Sequence, residues 1–141
     1  MIGIWHSLLD MKKYDEAWHK QDVADELEEY KQEVALIKKW SELSDVVYTY
    51  TRAKWSGHKI SSPFNKWQYY LGEIYMIPKY TSRWLFYRLV GLRMGSPVKI
   101  HEVRNPHKVD KLNIIAQRNN LDPDQFLKIC ERQLKYWPLL P

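Results

Sequence analysis

Seven carboxylates lie close together between Asp25 and Asp45, in the stretch DELEEYKQEVALIKKWSELSD. Residues three or four apart share one face of a helix. At about 100° per residue, five acids fall within an arc of about 100°: Asp22, Asp25, Glu26, Glu29 and Glu33. Glu42 and Asp45 repeat the spacing three apart, after twelve residues that follow Glu29. Two such groups of acids can face each other across an antiparallel pair of helices.

Acids arranged in this way repel each other, by about 0.2–0.5 kcal/mol for each pair on an isolated helix. A magnesium ion would offset that repulsion, because Mg²⁺ prefers oxygen ligands and commonly joins carboxylates to substrate phosphates. The alternative interpretation is an ordinary solvated acidic face. In that case Lys31, Lys38 and Lys39 neutralise the acids through surface ion pairs.

The order of the acids resembles the signature of the MazG-like all-α nucleoside triphosphate pyrophosphohydrolases, the superfamily that includes the dimeric dUTPases. That signature is EExxE, a gap of variable length, and ExxD followed by an apolar helix. The chain has Asp25, Glu26 and Glu29, and later Glu42 and Asp45. Asp25 stands where the pattern has its first glutamate. The resemblance covers the part from Asp22 to Tyr50, about a fifth of the chain.

The resemblance implies an activity and a set of ligands. Glu26, Glu29, Glu42 and Asp45 would bind Mg²⁺, or Mn²⁺ in its place, and would form the catalytic site. The substrate would be a nucleoside or deoxynucleoside triphosphate. Hydrolysis between its α and β phosphates would give the monophosphate and pyrophosphate. The resemblance also implies a homo-oligomer, either a dimer or a tetramer.

Four further residues are candidate substrate-binding residues. Lys38 and Arg52 lie on the same side of the second helix as its acids, so they could reach phosphates bound at the metal. Trp18 lies one turn before Asp22 with His19 beside it, and could contact the nucleobase. The alternatives are ion pairs with the acids for the two cations, and packing for the tryptophan.

Apolar residues recur with helical spacing and strict alternation is scarce, so the sequence predicts an all-α helical bundle. An antiparallel pair, about Trp18 to Val34 and about Ile37 to Trp55, would carry the acids, and additional helices would follow. We expect one of these to begin at Ser62 and Pro63 and to end at Pro78, and the next to begin near Thr81 and end at Gly95. The last two are expected in VDKLNIIAQRNN and after Asp122–Pro123.

The antiparallel pair requires a chain reversal, which we place near Ala35 to Lys38. Residues 30–41 contain no Gly, Pro, Asn or Asp, the usual residues of turns. In an unbroken helix Glu26 and Glu42 would lie about 24 Å apart at 1.5 Å per residue, and only a second subunit could complete the cluster.

We expect a single domain over residues 1–141, with metal-binding helices over about 16–56 and a basic, aromatic extension over about 62–141. The net charge of +5 hides an asymmetry, because residues 1–55 hold 8 Lys and Arg against 11 Asp and Glu. The basic second part suggests an alternative function, a helical module that binds nucleic acid. A third possibility is an inactive scaffold that oligomerises.

The sequence contains no run of about 18 apolar residues that would span a membrane. Its short apolar start is followed by its charges, the reverse of a secretory signal. A single cysteine, Cys130, fits a reducing compartment. These features predict a cytoplasmic protein without a membrane partner.

Overall fold

The computed structural model describes residues 1–139, and all regular structure in that range is α-helical, which confirms the predicted fold class. The helices are α1 (Ile2–Leu9), α2 (Glu16–Gln32), α3 (Leu36–Trp55), α4 (Lys66–Arg93), α5 (Val109–Arg118) and α6 (Pro123–Leu134). None of these helices combines the length and apolar character needed to cross a membrane. Leu140 and Pro141, the end of the predicted domain, lie outside the described residues.

The chain forms two compact units, residues 1–78 and residues from Lys79 onward. The first unit contains α1, α2, α3 and the first part of α4. The second contains the rest of α4 together with α5 and α6. The prediction of one domain over residues 1–141 stays a prediction.

In the first unit α1 packs against α3, although no helix was expected at the start of the chain. His6 is fully buried, and its Nε2 is hydrogen-bonded to Oγ1 of Thr51 at 2.9 Å. The indole Nε1 of Trp55 donates to Oγ of Ser7 at 3.1 Å. The buried residues of α1 are His6 and Leu9, and a histidine is not a residue that an apolar pattern marks as buried.

The reversal between α2 and α3 is made by Glu33 to Ala35, just before the predicted position. The Oε1 atom of Glu33 accepts hydrogen bonds from the backbone N–H groups of Val34 and Ala35, both at 2.9 Å. Glu33 and Ala35 have extended backbone conformations. A glutamate therefore supplies the local hydrogen bonds that Asn or Asp usually supplies in a turn.

Two helices were predicted between Ser62 and Gly95, separated at Pro78, and this is wrong because α4 continues through that proline. The helix starts later than predicted, after Asn65. Oδ1 of Asn65 accepts a hydrogen bond from the N–H of Gln68, and Oε1 of Gln68 accepts one from the N–H of Asn65, both at 2.9 Å. This reciprocal pair is a capping box. A proline inside a helix costs about 3 kcal/mol, and burial of Met76 and Tyr80 on either side of it offsets that cost.

The second unit has an apolar core built from α4, α5, α6 and the connection that contains Ile100. Its fully or almost fully buried members are Phe86, Tyr87, Val90, Ile100, Leu112, Ile115, Ala116, Phe126 and Cys130. The amide of Gln133 donates to the backbone oxygen of Phe86 at 2.8 Å and ties α6 to α4. The last helix begins as predicted, because Asp122 accepts from the N–H of Gln125 at 2.7 Å and Pro123 occupies the first turn.

Candidate metal centre

Three of the four predicted metal ligands come together in the first unit. Glu26 and Glu29 lie one turn apart on α2, and Glu42 lies on α3. One carboxylate oxygen from each lies within 4.8 Å of the other two. Glu29 is exposed, whereas Glu26 and Glu42 are half-buried. The cluster therefore has a protein-facing side and a solvent-facing side, and it forms within one chain.

The fourth predicted ligand, Asp45, acts on the same cluster. Burial is the main cause that raises the pKa of Glu26 to about 8, and the charges of Asp45, Glu29, Asp22 and Glu42 raise it further in that order. Asp45 exerts the largest electrostatic effect of the four. These five residues, Asp22, Glu26, Glu29, Glu42 and Asp45, form what we call the acid cluster.

Contacts along α2 and α3 show that the two helices run antiparallel. Glu29, near the end of α2, meets Glu42, near the start of α3. At the other end of the pair, the guanidinium carbon of Arg52 lies 5.3 Å from the ring centroid of Trp18. Residues near the end of α2 therefore contact residues near the start of α3, and the reverse holds at the other end of the pair.

Three further acids of the DELEEYKQE stretch have other roles. Asp25 is exposed and accepts a hydrogen bond from the amide of Gln21 at 2.6 Å. Glu28 accepts from the amide of Gln32 at 3.0 Å, and Glu33 forms the turn. Asp25 is the position at which the chain departs from the EExxE pattern, and it lies outside the acid cluster.

The donor set fits a hard divalent cation. An octahedral Mg²⁺ ion with bonds of about 2.1 Å holds neighbouring ligand atoms about 3 Å apart and opposite ones about 4 Å apart. The three oxygens lie within 4.8 Å of one another, which is slightly farther apart than the ligand atoms of such an ion, and the exposed Glu29 side chain has room to rotate inwards. All donors are carboxylate oxygens, which suits Mg²⁺ and Mn²⁺ better than softer metals.

Beyond the acid cluster, the side chain of Arg52 extends from α3 to the segment that precedes α2 and to Trp18. Its guanidinium carbon lies 5.3 Å from the ring centroid of Trp18 and 5.4 Å from that of Tyr14, and Nη2 donates to the backbone oxygen of Lys12. Lys38, the other predicted phosphate-binding cation, is exposed in the first turn of α3, one turn before Glu42. The two cations therefore lie on opposite sides of the cluster along α3.

Trp18 keeps 37% of its surface exposed, and its ring stacks on Tyr14 with a centroid distance of 4.1 Å. His19, beside it in sequence, is fully buried, and neither of its ring nitrogens has a hydrogen-bond partner among the described residues. Burial, followed by the charges of Arg52 and His58, lowers the pKa of His19 to about 4. Trp18 thus keeps an exposed part, whereas His19 is buried beside it, with its ring centroid 5.1 Å from that of Trp18.

Tyr14 is the neighbour of this site that was not expected. It precedes α2, so helical periodicity does not include it. The sequence feature that could have predicted its position is the N-cap of α2. Asp15 accepts from the N–H of Trp18 at 2.8 Å, and a large residue just before an N-cap often packs against the first turn of the helix.

Comparisons of the chain with protein-family models, with curated proteins and with solved structures found no match.

Proposed function

We propose that the chain is a magnesium-dependent nucleoside triphosphate pyrophosphohydrolase, which converts a nucleoside or deoxynucleoside triphosphate to the monophosphate and pyrophosphate. The observation that carries the proposal is the convergence of Glu26, Glu29 and Glu42 from two helices within 4.8 Å. Gathering half-buried like charges is unfavourable unless a cation or a proton offsets it. Such groups with strongly perturbed pKa values concentrate at functional sites.

Glu26, Glu29, Glu42 and Asp45 would hold the ion, Mg²⁺ or Mn²⁺. When bound, the ion supplies charge stabilisation to phosphate oxygens and acidifies a water molecule. The exposed position of Glu29 puts its carboxylate where solvent and substrate can reach it. A carboxylate of the acid cluster would accept the proton of the attacking water as general base.

The residues around the acid cluster would bind the rest of the substrate. Lys38 is exposed one turn from Glu42 and would bind the phosphate chain. The exposed part of Trp18 offers a surface for the nucleobase, and Arg52 adds a positive charge beside it. His19, because it is buried in edge contact with Trp18, would position that ring.

The proposal includes a homo-oligomer, a dimer or a tetramer, in the cytoplasm. Its support is the apolar surface of the first part of α4, where Trp67 is 77% exposed and Ile74 is 71% exposed. Exposed apolar side chains grouped on one helix are common at protein interfaces.

The test is pyrophosphate release from a panel of nucleoside and deoxynucleoside triphosphates, measured with Mg²⁺ and with EDTA. Activity is expected only with the ion. Substitution of a residue that only supports a metal ligand commonly reduces activity or metal affinity by about 10–100-fold. Because Glu29 and Asp45 are proposed as ligands themselves, Glu29→Gln and Asp45→Asn should each reduce pyrophosphate release by more than about 100-fold.

Glu28→Gln is the matched control, because Glu28 is adjacent to Glu29 on α2 but lies outside the acid cluster. It should retain activity. Release of orthophosphate in place of pyrophosphate, or activity that survives both Glu29→Gln and Asp45→Asn, contradicts the proposal.

A second candidate function is nucleic-acid binding by the second unit. Residues 79–139 contain 12 Lys and Arg against 5 Asp and Glu, and eight of those cations are exposed. Exposed cations bind phosphate backbones and make affinity depend on salt. This function predicts salt-sensitive binding of DNA or RNA that is unchanged in Asp45→Asn.

A further inference from the structure

A second concave site lies in the first unit, away from the acid cluster. It is a cavity of about 210 Å³ between the end of α3, the connection that follows it and the start of α4. Its lining residues are Tyr50, Lys54, Ser62, Phe64, Asn65, Lys66, Tyr69 and Tyr70, and we call it the aromatic pocket. Lys54 follows Asp45 by nine residues, which at about 100° per residue puts the two on opposite sides of α3.

Four aromatic rings line the pocket in a connected series. The ring centroids of Tyr50 and Phe64 are 5.1 Å apart, those of Phe64 and Tyr69 are 5.7 Å apart, and those of Tyr69 and Tyr70 are 5.9 Å apart. The Tyr50 and Phe64 rings meet edge to face, at 82°. Rings in such contacts present both faces and edges, which suits a planar guest.

The charged groups at the pocket are all positive. Lys54 and Lys66 line it, and no acidic residue does. Both lysines are exposed, so they lie at the mouth. The Nζ atom of Lys54 lies 5.4 Å from the Tyr50 centroid, and that of Lys66 lies 6.0 Å from the Tyr70 centroid. The start of α4, capped by Asn65, adds the positive end of a long helix.

We propose that the aromatic pocket binds a small aromatic anion of the mononucleotide class, a planar heterocycle that carries a phosphate. The ring system would enter among the tyrosines, and the phosphate would stay at the mouth with Lys54 and Lys66. The cavity of about 210 Å³ is smaller than the pockets of about 300–1,000 Å³ that enclose a whole drug-sized molecule, so it would hold the ring system and leave the phosphate outside. The inference does not rest on the proposed pyrophosphohydrolase function.

The test is binding of AMP to the full chain in EDTA, followed by calorimetry and by NMR shifts of the tyrosine rings. Without a divalent ion the acid cluster repels phosphate, so failure of the pyrophosphohydrolase proposal does not affect the result. We expect a dissociation constant of about 1 mM or tighter. Adenosine, which lacks the phosphate, and inorganic phosphate, which lacks the ring, should both bind more weakly.

Two exposed positions supply variants that should fold. Lys66→Gln and Tyr70→Leu should each weaken AMP binding about tenfold, since a hydrogen bond to a charged group or an aromatic contact is worth roughly that factor. Lys59→Gln and Trp67→Leu are the matched controls, because both residues are exposed but neither lines the pocket. The controls and Glu29→Gln should bind AMP like the wild type.

Three results would overturn the inference. The first is the absence of AMP binding in EDTA. The second is AMP binding that Lys66→Gln and Tyr70→Leu leave unchanged. The third is binding of a short oligonucleotide at these residues when mononucleotides do not bind, which would identify a nucleic-acid surface instead.

Discussion

Both units of the chain bury ionisable side chains, but of different kinds. The second unit has an apolar core cluster that includes Phe126, and this unit also buries the cations Lys79 and Arg83. In the first unit, the helices around α3 bury His6 and His19 completely and hold Glu26 half-buried among other acids. Apolar cores stabilise a fold at any pH, whereas buried ionisable groups make stability depend on pH. The first unit therefore bears an electrostatic cost, and such costs are common at sites that bind or react.

The largest effect should come from the apolar core. Phe126→Ala removes a fully buried ring, and such truncations cost about 3–5 kcal/mol in the free energy of unfolding. Urea denaturation measures it. Tyr136→Ala is the control, since Tyr136 is 85% exposed and its loss should cost little. A cost below about 1 kcal/mol for Phe126→Ala would show that this core is looser than the burial of its rings indicates.

A smaller effect tests how closely α4 packs on α3. A Cβ atom at Gly72 would lie 2.5 Å from Cγ2 of Val47 and 3.2 Å from the backbone oxygen of Leu43. Overpacking of this kind costs about 1–3 kcal/mol, although alanine favours helix by up to about 1 kcal/mol. Gly72→Ala should therefore destabilise the first unit in thermal unfolding.

Gly3→Ala is the matched control for that substitution. Gly3 also lies in a helix, but a Cβ atom there would meet nothing within 4 Å. The change should stabilise by about 0.5–1 kcal/mol. If both glycine substitutions stabilise, the close approach of α4 to α3 is contradicted.

The acid cluster gives a pH-dependent prediction. Because the pKa of Glu26 is raised to about 8, its protonated form is favoured in the folded state, and the stability it contributes is lost as pH rises from about 4.5 to 8. Without metal, Glu26→Gln should raise the free energy of unfolding at pH 8 by about 1–2 kcal/mol. Chemical denaturation in EDTA measures this, and Mg²⁺ should stabilise the wild type more than the variant. Equal stabilisation of both by Mg²⁺ would place the ion elsewhere.

The buried histidines give the opposite sign. Burial, followed by the charge of Arg52, lowers the pKa of His6 to about 4, and the same causes together with His58 do so for His19. Stability from these groups is complete above the unfolded value of about 6.5 and is lost as pH falls towards 4. In the Glu26→Gln variant, which lacks the opposing contribution of Glu26, the melting temperature should fall between pH 6.5 and pH 4. His107→Gln, at an exposed position, is the control substitution in the same background. A melting temperature that stays constant over this range would contradict the burial of His6 and His19.

The acid spacing predicts the part of the fold that matters most for the site. Residues three apart on one helix share a face, so the spacing groups Glu26 with Glu29, and the chain reversal between α2 and α3 then brings Glu42 to them. The start of α6 was predicted equally well, because Asp122 and Pro123 act locally. The continuation of α4 through Pro78 was not predictable in this way, since it depends on burial of Met76 and Tyr80.

The surroundings of the site were less predictable. His19 was expected to bind the substrate, and its side chain is fully buried, with its ring next to those of Tyr14, Trp18 and His58. A helical projection does not show which side of a residue another segment covers. The aromatic pocket combines residues from α3, α4 and the connection between them. Although these residues all lie within 50–70, the pocket arises from how the connection folds between the two helices, which helical periodicity does not show.

The turn at Glu33 has a consequence for how the protein works at low concentration. Because the chain reverses there, with the Glu33 carboxylate bonded to the Val34 and Ala35 amides, each molecule brings its own Glu26, Glu29 and Glu42 together. Assembly of these three acids requires no encounter between two molecules. The affinity that we propose for a divalent ion should therefore be independent of protein concentration.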